Sequence, residues 1–245
     1  LLMDSTPSSP SVLPMCPVCT TLGRSQLRER LSLRKAFPWL RDKSEPAQNG
    51  KVLIRGDKVA IREKRVADVA DDYAWRTDED LARLDATRPI RMTYEEFYRF
   101  SKDEISGVSS TSKRLAIDTY NGRHIGNCMY YDIDGKRGEA ELGIMIGDRD
   151  YWGRGYGTDS VNTLVEHIFT TTGLNRVYLH TLEWNQRARR SFAKSGFREV
   201  KPVHRSGHDF ILMEILRTDW ESQHASADRA FNSIAPTIDE NGTVP

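Results

Sequence analysis

The segment Tyr151-Trp-Gly-Arg-Gly-Tyr-Gly-Thr158 places three glycines within residues 153–157. Glycine lets a backbone turn tightly and bring its N–H groups close to a ligand with no Cβ in the way. A helix beginning at this point adds unsatisfied N–H groups and a partial positive charge. The chemistry this implies is anion binding, most naturally of phosphate or pyrophosphate, and Arg154 adds a full charge. A dinucleotide fingerprint needs G-x-G-x-x-G, and its last position falls on Thr158 or Ser160 in the two available registers. A P-loop needs Gly-Lys-Ser/Thr, and the turn holds no lysine. A tight turn that binds nothing is the plain alternative.

Two further side chains flank this turn in sequence. On a strand over residues 139–147, Ala140, Leu142, Ile144 and Ile146 share one face, and Glu139, Glu141, Gly143 and Met145 the other. Glu141 is then a carboxylate near the strand end, expected to face a side kept open by Gly143. Its plain alternative is a surface carboxylate paired with Arg137. Asn185 precedes a short helical segment and suits an N-cap. Cys16-Pro-Val-Cys19 lacks the further ligands a zinc site needs. The histidines form no metal set; His180, mid-strand, reads as structural.

The elements that must position these groups follow from periodicity. Residues 51–54 and 58–63 read as a strand pair around Gly56-Asp57, and 66–75 as a helix. Thr93-Tyr-Glu-Glu96 has capping-box spacing and opens a helix to about residue 100. Residues 114–120 and 123–132 form strands around Asn121-Gly122, a type I′ turn signal. A turn at Asp134-Gly135 leads into 139–147, so three antiparallel strands run in sequence. In the helix at 158–171, Val161, Leu164, Val165, Ile168 and Phe169 make one apolar face, and Gly173 is placed to end it. Then come a strand at 176–182, a helix at 186–195 ending at Gly196, and strands at 198–203 and 209–216. A strand, a helix and a strand in one sheet make a parallel pair.

Taken together, the glycine turn, Asn185-Gln-Arg-Ala188 and Phe192-Ala-Lys-Ser-Gly196-Phe197 resemble the GNAT superfamily of N-acetyltransferases over residues 51–217. The cofactor motif is Gln/Arg-x-x-Gly-x-Gly/Ala; here its first position is Trp152. The variant is similar to the branch acetylating ribosomal-protein N-termini and spermidine. The resemblance implies a mixed α/β fold, with a mainly antiparallel twisted sheet and helices on both faces. It implies acetyl-CoA as co-substrate, with no metal. Met145 and Ile146 would offer backbone groups to the pantetheine arm. N–H groups of Arg154, Gly155, Tyr156, Gly157 and Thr158 would hold the pyrophosphate. Asn185 would face the thioester or an amide. Arg189, Arg190 and Lys194 would approach the nucleotide phosphate or form a solvated face. Trp75 and Arg76 would shape the amine site, and Glu141 would be the base. Many members place a tyrosine acid where this chain has Phe192, so Tyr156, a water or unassisted thiolate departure must serve. A base matters because only the neutral amine attacks. At pH 7 an α-amino group is neutral roughly one time in seven, and a lysine roughly one time in 2,500.

Composition sets the outer bounds. Among 245 residues, 36 Lys and Arg balance 35 Asp and Glu, so no bulk attraction to nucleic acid is implied. Three cysteines are too few for a disulfide scaffold. With no long apolar run or signal peptide, a cytoplasmic protein is expected, with no membrane partner. Residues 1–50 read as a disordered or partly helical extension and 218–245 as a polar, mostly disordered tail. A homodimer is compatible with the resemblance. The leading expectation is acetyl transfer to a protein N-terminus or a small amine such as a polyamine. The alternatives are a catalytically impaired acyl-CoA-binding module and a nucleotide-binding protein. Deleting residues 1–45 is expected to leave acetyl transfer to a small amine intact, measured as CoA release; loss of turnover would show that the extension is integral.

Overall fold

The computed structural model describes residues 50–107 and 109–234. The expected N-terminal extension, its Cys16 and Cys19, and residues 235–245 lie outside them. Strands β1 (Val52–Arg55) and β2 (Val59–Glu63) form a hairpin, and a turn of 3-10 helix at Val66–Asp68 leads into α1 (Val69–Thr77). After it come α2 (Glu79–Leu84), α3 (Tyr94–Ser106), β3 (Ser112–Thr119), β4 (His124–Asp134) and β5 (Glu139–Ile146). The chain continues through α4 (Tyr156–Thr171), β6 (Arg176–Leu182), α5 (Gln186–Lys194), β7 (Arg198–Arg205), β8 (His208–Leu216) and α6 (Arg217–Ile234). The eight strands of the described residues form one sheet in the order β1-β2-β3-β4-β5-β6-β8-β7. Its neighbours are antiparallel except β5 and β6, which are parallel.

Strand alternation divides the side chains between two faces. One face carries Val59, Ile61, Ile117, Ala140, Leu142, Val177, Leu179, Met213 and Ile215, all buried. The apolar stripe of α4, read from its spacing, packs on them through Val161, Leu164, Val165, Ile168 and Phe169. Each such side chain contributes about 1.5–3 kcal/mol when fully removed from water. The other face, on the side of α1, is polar around Arg62. Its guanidinium is 1% exposed and pairs with Asp68 at 2.7 Å and Asp118 at 2.7 Å. Burial pulls Arg62 down, but the bonds to the two carboxylates outweigh it and hold the group above its ordinary value. Asp68 also accepts from the Arg65 backbone N–H at 2.7 Å, which fixes the entry into α1.

Three local expectations are corrected. Asn121-Gly122 is not a type I′ turn: Gly122 has φ +78, but Asn121 is not among the positive-φ residues. Instead the Gly122 N–H donates to the Thr119 carbonyl and the Thr119 N–H to the Arg123 carbonyl, a three-residue loop with glycine in the left-handed position. Consecutive positive φ occurs at Ser206-Gly207, between β7 and β8. Second, α4 is not closed by a left-handed glycine at Gly173. Its C-cap is the extended Thr172, and Arg217 donates to the Phe169 carbonyl in its last turn, to that of Thr172 and to that of Leu174 just beyond it. Third, residues 218–234 of the tail read as mostly disordered form α6 with Arg217. Arg217 anchors its start, and Trp220 lies 5.6 Å from the Phe169 ring. Composition predicted a tail because the stretch is polar; a few tertiary contacts order it.

The capping box at Thr93 is present, with Glu96 accepting from the Thr93 N–H at 2.7 Å. Helix α3 runs on to Ser106, beyond the expected end near residue 100. Arg62→Leu leaves two buried carboxylates without their cation and is expected to lose about 3–5 kcal/mol. Urea unfolding of the variant checks this; an unchanged midpoint would show that Arg62 does not hold the polar face together.

Candidate active site

Strands β5 and β6 pair over three residues only: Glu139, Ala140 and Glu141 against Arg176, Val177 and Tyr178. Beyond this point β5 stays paired with β4 as far as Ile146, and β6 with β8 as far as Leu182. The two strands part, and each keeps an edge without a strand neighbour. Backbone N–H and C=O groups on such an edge require partners. A cleft of about 330 Å³ opens at this gap. Its lining joins Ile144, Met145 and Ile146 of β5, the glycine turn, Val161 of α4, and Asn185, Ser191 and Phe192 at α5.

The turn supplies the polar end. Gly155 has φ +85 and is the N-cap of α4, so the helix begins at the glycine run, two residues earlier than periodicity placed it. A Cβ on Gly157 would lie 3.7 Å from Ile146 and 3.9 Å from Ser191, so a larger side chain there would project into the cleft. The hydroxyls of Thr158 and Ser191, both in the lining, lie 2.8 Å apart and tie α4 to α5. On the outer side of the turn, Asp159 accepts from the N–H groups of Asp57, Lys58 and Val59 and seats the β1–β2 turn on α4.

The sequence-predicted residues are distributed unevenly. Met145, Ile146, Gly155, Gly157, Thr158 and Asn185 line the cleft together. Asn185 also caps α5, its Oδ1 accepting from the Ala188 N–H at 3.2 Å. Arg154 turns back on its own loop, donating to the Asp150 carbonyl at 3.0 Å and lying over the Tyr151 and Tyr156 rings. Tyr156 packs edge-on against Tyr151 at 4.9 Å. Arg190 and Lys194 reach the lining, whereas Arg189 is engaged with Glu199 at 2.7 Å. Phe192 is 8% exposed and edges the cleft without a hydroxyl. Trp75 is 6% exposed: its ring fills the space over Gly147, where a Cβ would lie 2.1 Å away, and it contacts the His124 ring. Arg76 pairs with Asp85 at 3.3 Å. Both border a small depression that shares Met145 and Leu81 with the cleft.

Glu141 departs most from expectation. Its side is not open: Met129 and Tyr131 crowd Gly143, at 3.2 and 3.5 Å from where a Cβ would stand. Glu141 is 4% exposed and does not pair with Arg137, which meets Glu139 instead. Its Oε1 lies 2.9 Å from His180 Nδ1 and 3.5 Å from Arg205. Burial, then a hydrogen bond to Glu141, push the Tyr131 hydroxyl well above its usual range. Tyr178 is raised by burial and by the Glu141 charge.

Several groups escaped the sequence reading. Helix α2 places Leu81 and Leu84 in the cleft wall. It is tied at one end by Arg149 to Asp78 at 2.7 Å and to Asp80, and at the other by Arg83 over Trp184 at 5.0 Å. Trp152, which departs from the motif, donates its indole N–H to the Ile146 carbonyl at 2.6 Å and carries Arg187 over its ring at 3.8 Å. Arg187 lines the cleft and has no carboxylate partner among the described residues; burial lowers its pKa. None of these pairings has a local sequence signal, since each joins residues from different elements. Among the described residues no cluster of metal-ligating side chains occurs, and no helix is long and apolar enough to cross a membrane.

Comparisons with known proteins agree with this geometry. The model of the acetyltransferase (GNAT) domain family matches residues 58–198. The N-acetyltransferase p20 of Bacillus licheniformis is 40% identical over 53 residues, 22% of this chain and 29% of that protein. The spermine/spermidine N(1)-acetyltransferase of Bacillus subtilis is 29% identical over 101 residues, 39% of this chain and 66% of that protein. The matched stretches thus span less than two thirds of these relatives. The crystal structure of spermidine N-acetyltransferase from Vibrio cholerae, in complex with CoA and spermine, superposes with a TM-score of 0.60 at 18% identity. It covers 66% of this chain and 98% of that one, a likeness of fold.

Gly157→Glu is expected to abolish CoA binding while leaving the domain folded, as a carboxylate would enter the cleft beside the glycine turn. Titration calorimetry with CoA, beside a thermal melt, checks this; unchanged affinity would remove the turn as the pyrophosphate site.

Proposed function

Because the chain belongs to the acetyltransferase (GNAT) domain family, we propose that it transfers an acetyl group from acetyl-CoA to a primary amine, a small polyamine or a protein N-terminus. The observation that carries this reading is the parting of β5 from β6 into a cleft that also holds the glycine turn and Asn185. The cofactor's pyrophosphate sits on N–H groups of Arg154 to Thr158, where the free N–H groups and dipole of α4 favour an anion. Arg187, Arg190 and Lys194 add positive charge at the same end. The pantetheine arm follows the open edge of β5 past Ile146 and Met145, with Asn185 opposite. The cofactor brings an activated thioester, and the chain orients it and disposes of the amine's proton. Trp75 and Arg76 border the shallow depression next to Met145 and shape the amine side of the site. Glu141 provides the negative charge behind the base function.

Reaction proceeds by direct attack: the amine nitrogen bonds to the acetyl carbon and the C–S bond breaks toward sulfur. With Phe192 at the tyrosine position, the thiolate leaves without a side-chain acid, which a thiol pKa of about 8.5 permits. Phe192 also favours a second reading, a module that binds acyl-CoA without turnover. Full-length protein assayed for CoA release with spermidine, N-terminal peptides and kanamycin separates the two: transfer predicts turnover with at least one amine. CoA binding without turnover on any of them would favour the module.

A further inference from the structure

The carboxylate of Glu141 points to the face on which an amine would arrive, but neighbouring side chains cover it there. With 5% of its side chain exposed, it is enclosed by Tyr131 of β4, Tyr178 and His180 of β6, and Arg205 of β7. Of these, His180 is placed to carry a proton outward. Its Nδ1 lies 2.9 Å from Glu141 Oε1. An ionised carboxylate only accepts, so the ring presents Nδ1–H to it and leaves the lone pair on Nε2. No protein group among the described residues hydrogen-bonds Nε2, and the side chain retains 12% exposure. The ring is also fixed edge-on by Tyr178 at 6.0 Å and Phe210 at 6.3 Å.

Strand topology gives His180 its position. Tyr178 is the last residue of β6 paired with β5, and His180 is the next residue on that same face, at the start of the gap. The glycine turn and α4 belong to the opposite face. A thioester lying in the gap is therefore reached by its cofactor from one face and by the amine from the other, the face of His180.

We propose that His180 Nε2 accepts the proton of the attacking amine, with Glu141 acting as a positioning residue that fixes the ring and balances the imidazolium. This rests on the acetyl-transfer reading. The C–N bond forms, the C–S bond breaks with its electron pair on sulfur, and the amine proton passes to Nε2 and then to water. The thiolate takes a proton from water. The charged or titratable groups around the pair are Tyr131 and Asp132 of β4, Glu139 of β5, Arg176 and Tyr178 of β6 and Arg205 of β7, with His208 of β8 beyond Phe210.

The test is the pH dependence of kcat/KM for full-length protein with acetyl-CoA and the best acceptor among spermidine, an N-terminal peptide and kanamycin. His180→Gln is expected to lose about 10²–10⁴-fold and the ionisation that limits the wild type at acid pH. Glu141→Gln should keep that ionisation but lower turnover, because the ring loses the carboxylate that fixes its Nδ1–H tautomer and orientation. CoA affinity should hold in both variants, since neither residue lines the cleft. Added imidazole should restore turnover to His180→Ala, which a purely structural histidine would not permit. If Glu141→Gln erases the acid limb while His180→Gln keeps it, Glu141 is the base itself and the proposal falls. If the wild type turns over and imidazole fails to rescue His180→Ala, it falls likewise, with the acetyl-transfer reading intact. A wild type that binds CoA but acetylates none of the amines overturns that reading, and the proposal with it.

Discussion

Two parallel strands that stay together for three residues and then separate are the constraint on which the rest of the molecule depends. A sheet gains stability by pairing every interior N–H and C=O group. Here β5 and β6 give up that pairing midway, and side chains from α4 and α5 line the gap. The sheet remains continuous because each strand keeps its other neighbour along its length. The result is an open backbone edge in the middle of a rigid sheet, which is a place to lay an extended ligand.

The surrounding elements hold that gap in shape. The long apolar stripe of α4 fixes the helix to one face, and the start of the same helix is the glycine turn. Packing of Phe169 and Ile168 at one end therefore sets where the N–H groups of the glycine turn lie at the other. Asp159 and Arg217 bind the two ends of α4 to the β1–β2 turn and to α6. On the opposite face, Arg62 with Asp68 and Asp118 fixes the entry into α1, and Trp75 over Gly147 brings α1 to the end of β5. The walls of the cleft thus come from elements whose positions are each determined elsewhere in the core.

Charge is arranged by face. Cations gather in the cleft lining around Arg187, Arg190 and Lys194. At the parting of the strands lies a carboxylate sheltered by two tyrosines, a histidine and an arginine. Buried ionised groups are retained when their partners compensate for lost hydration. The Arg62 cluster satisfies this with three groups bonded to one another. The Glu141 cluster includes a ring with a nitrogen left over, which makes it a site for chemistry as well as for structure.

Local sequence determined most of the element boundaries, because periodicity, capping residues and turn chemistry act over fewer than ten residues. It also determined the glycine turn, since its N–H groups are the backbone of one short segment, and the apolar face of α4. It misread residues 218–234 because the order there comes from Arg217 reaching the Phe169 carbonyl of α4 and from Trp220 meeting the Phe169 ring, across a strand, a helix and two more strands. It placed Glu141 on the correct face yet described that face as open. The crowding comes from Met129 and Tyr131 on the neighbouring strand, whose register is a property of the sheet. For the same reason His180 read as an ordinary strand residue: only the β5–β6 pairing puts it beside Glu141. Which groups could bind an anion was written in consecutive residues; which group could take a proton was decided by strands brought together from distant parts of the chain.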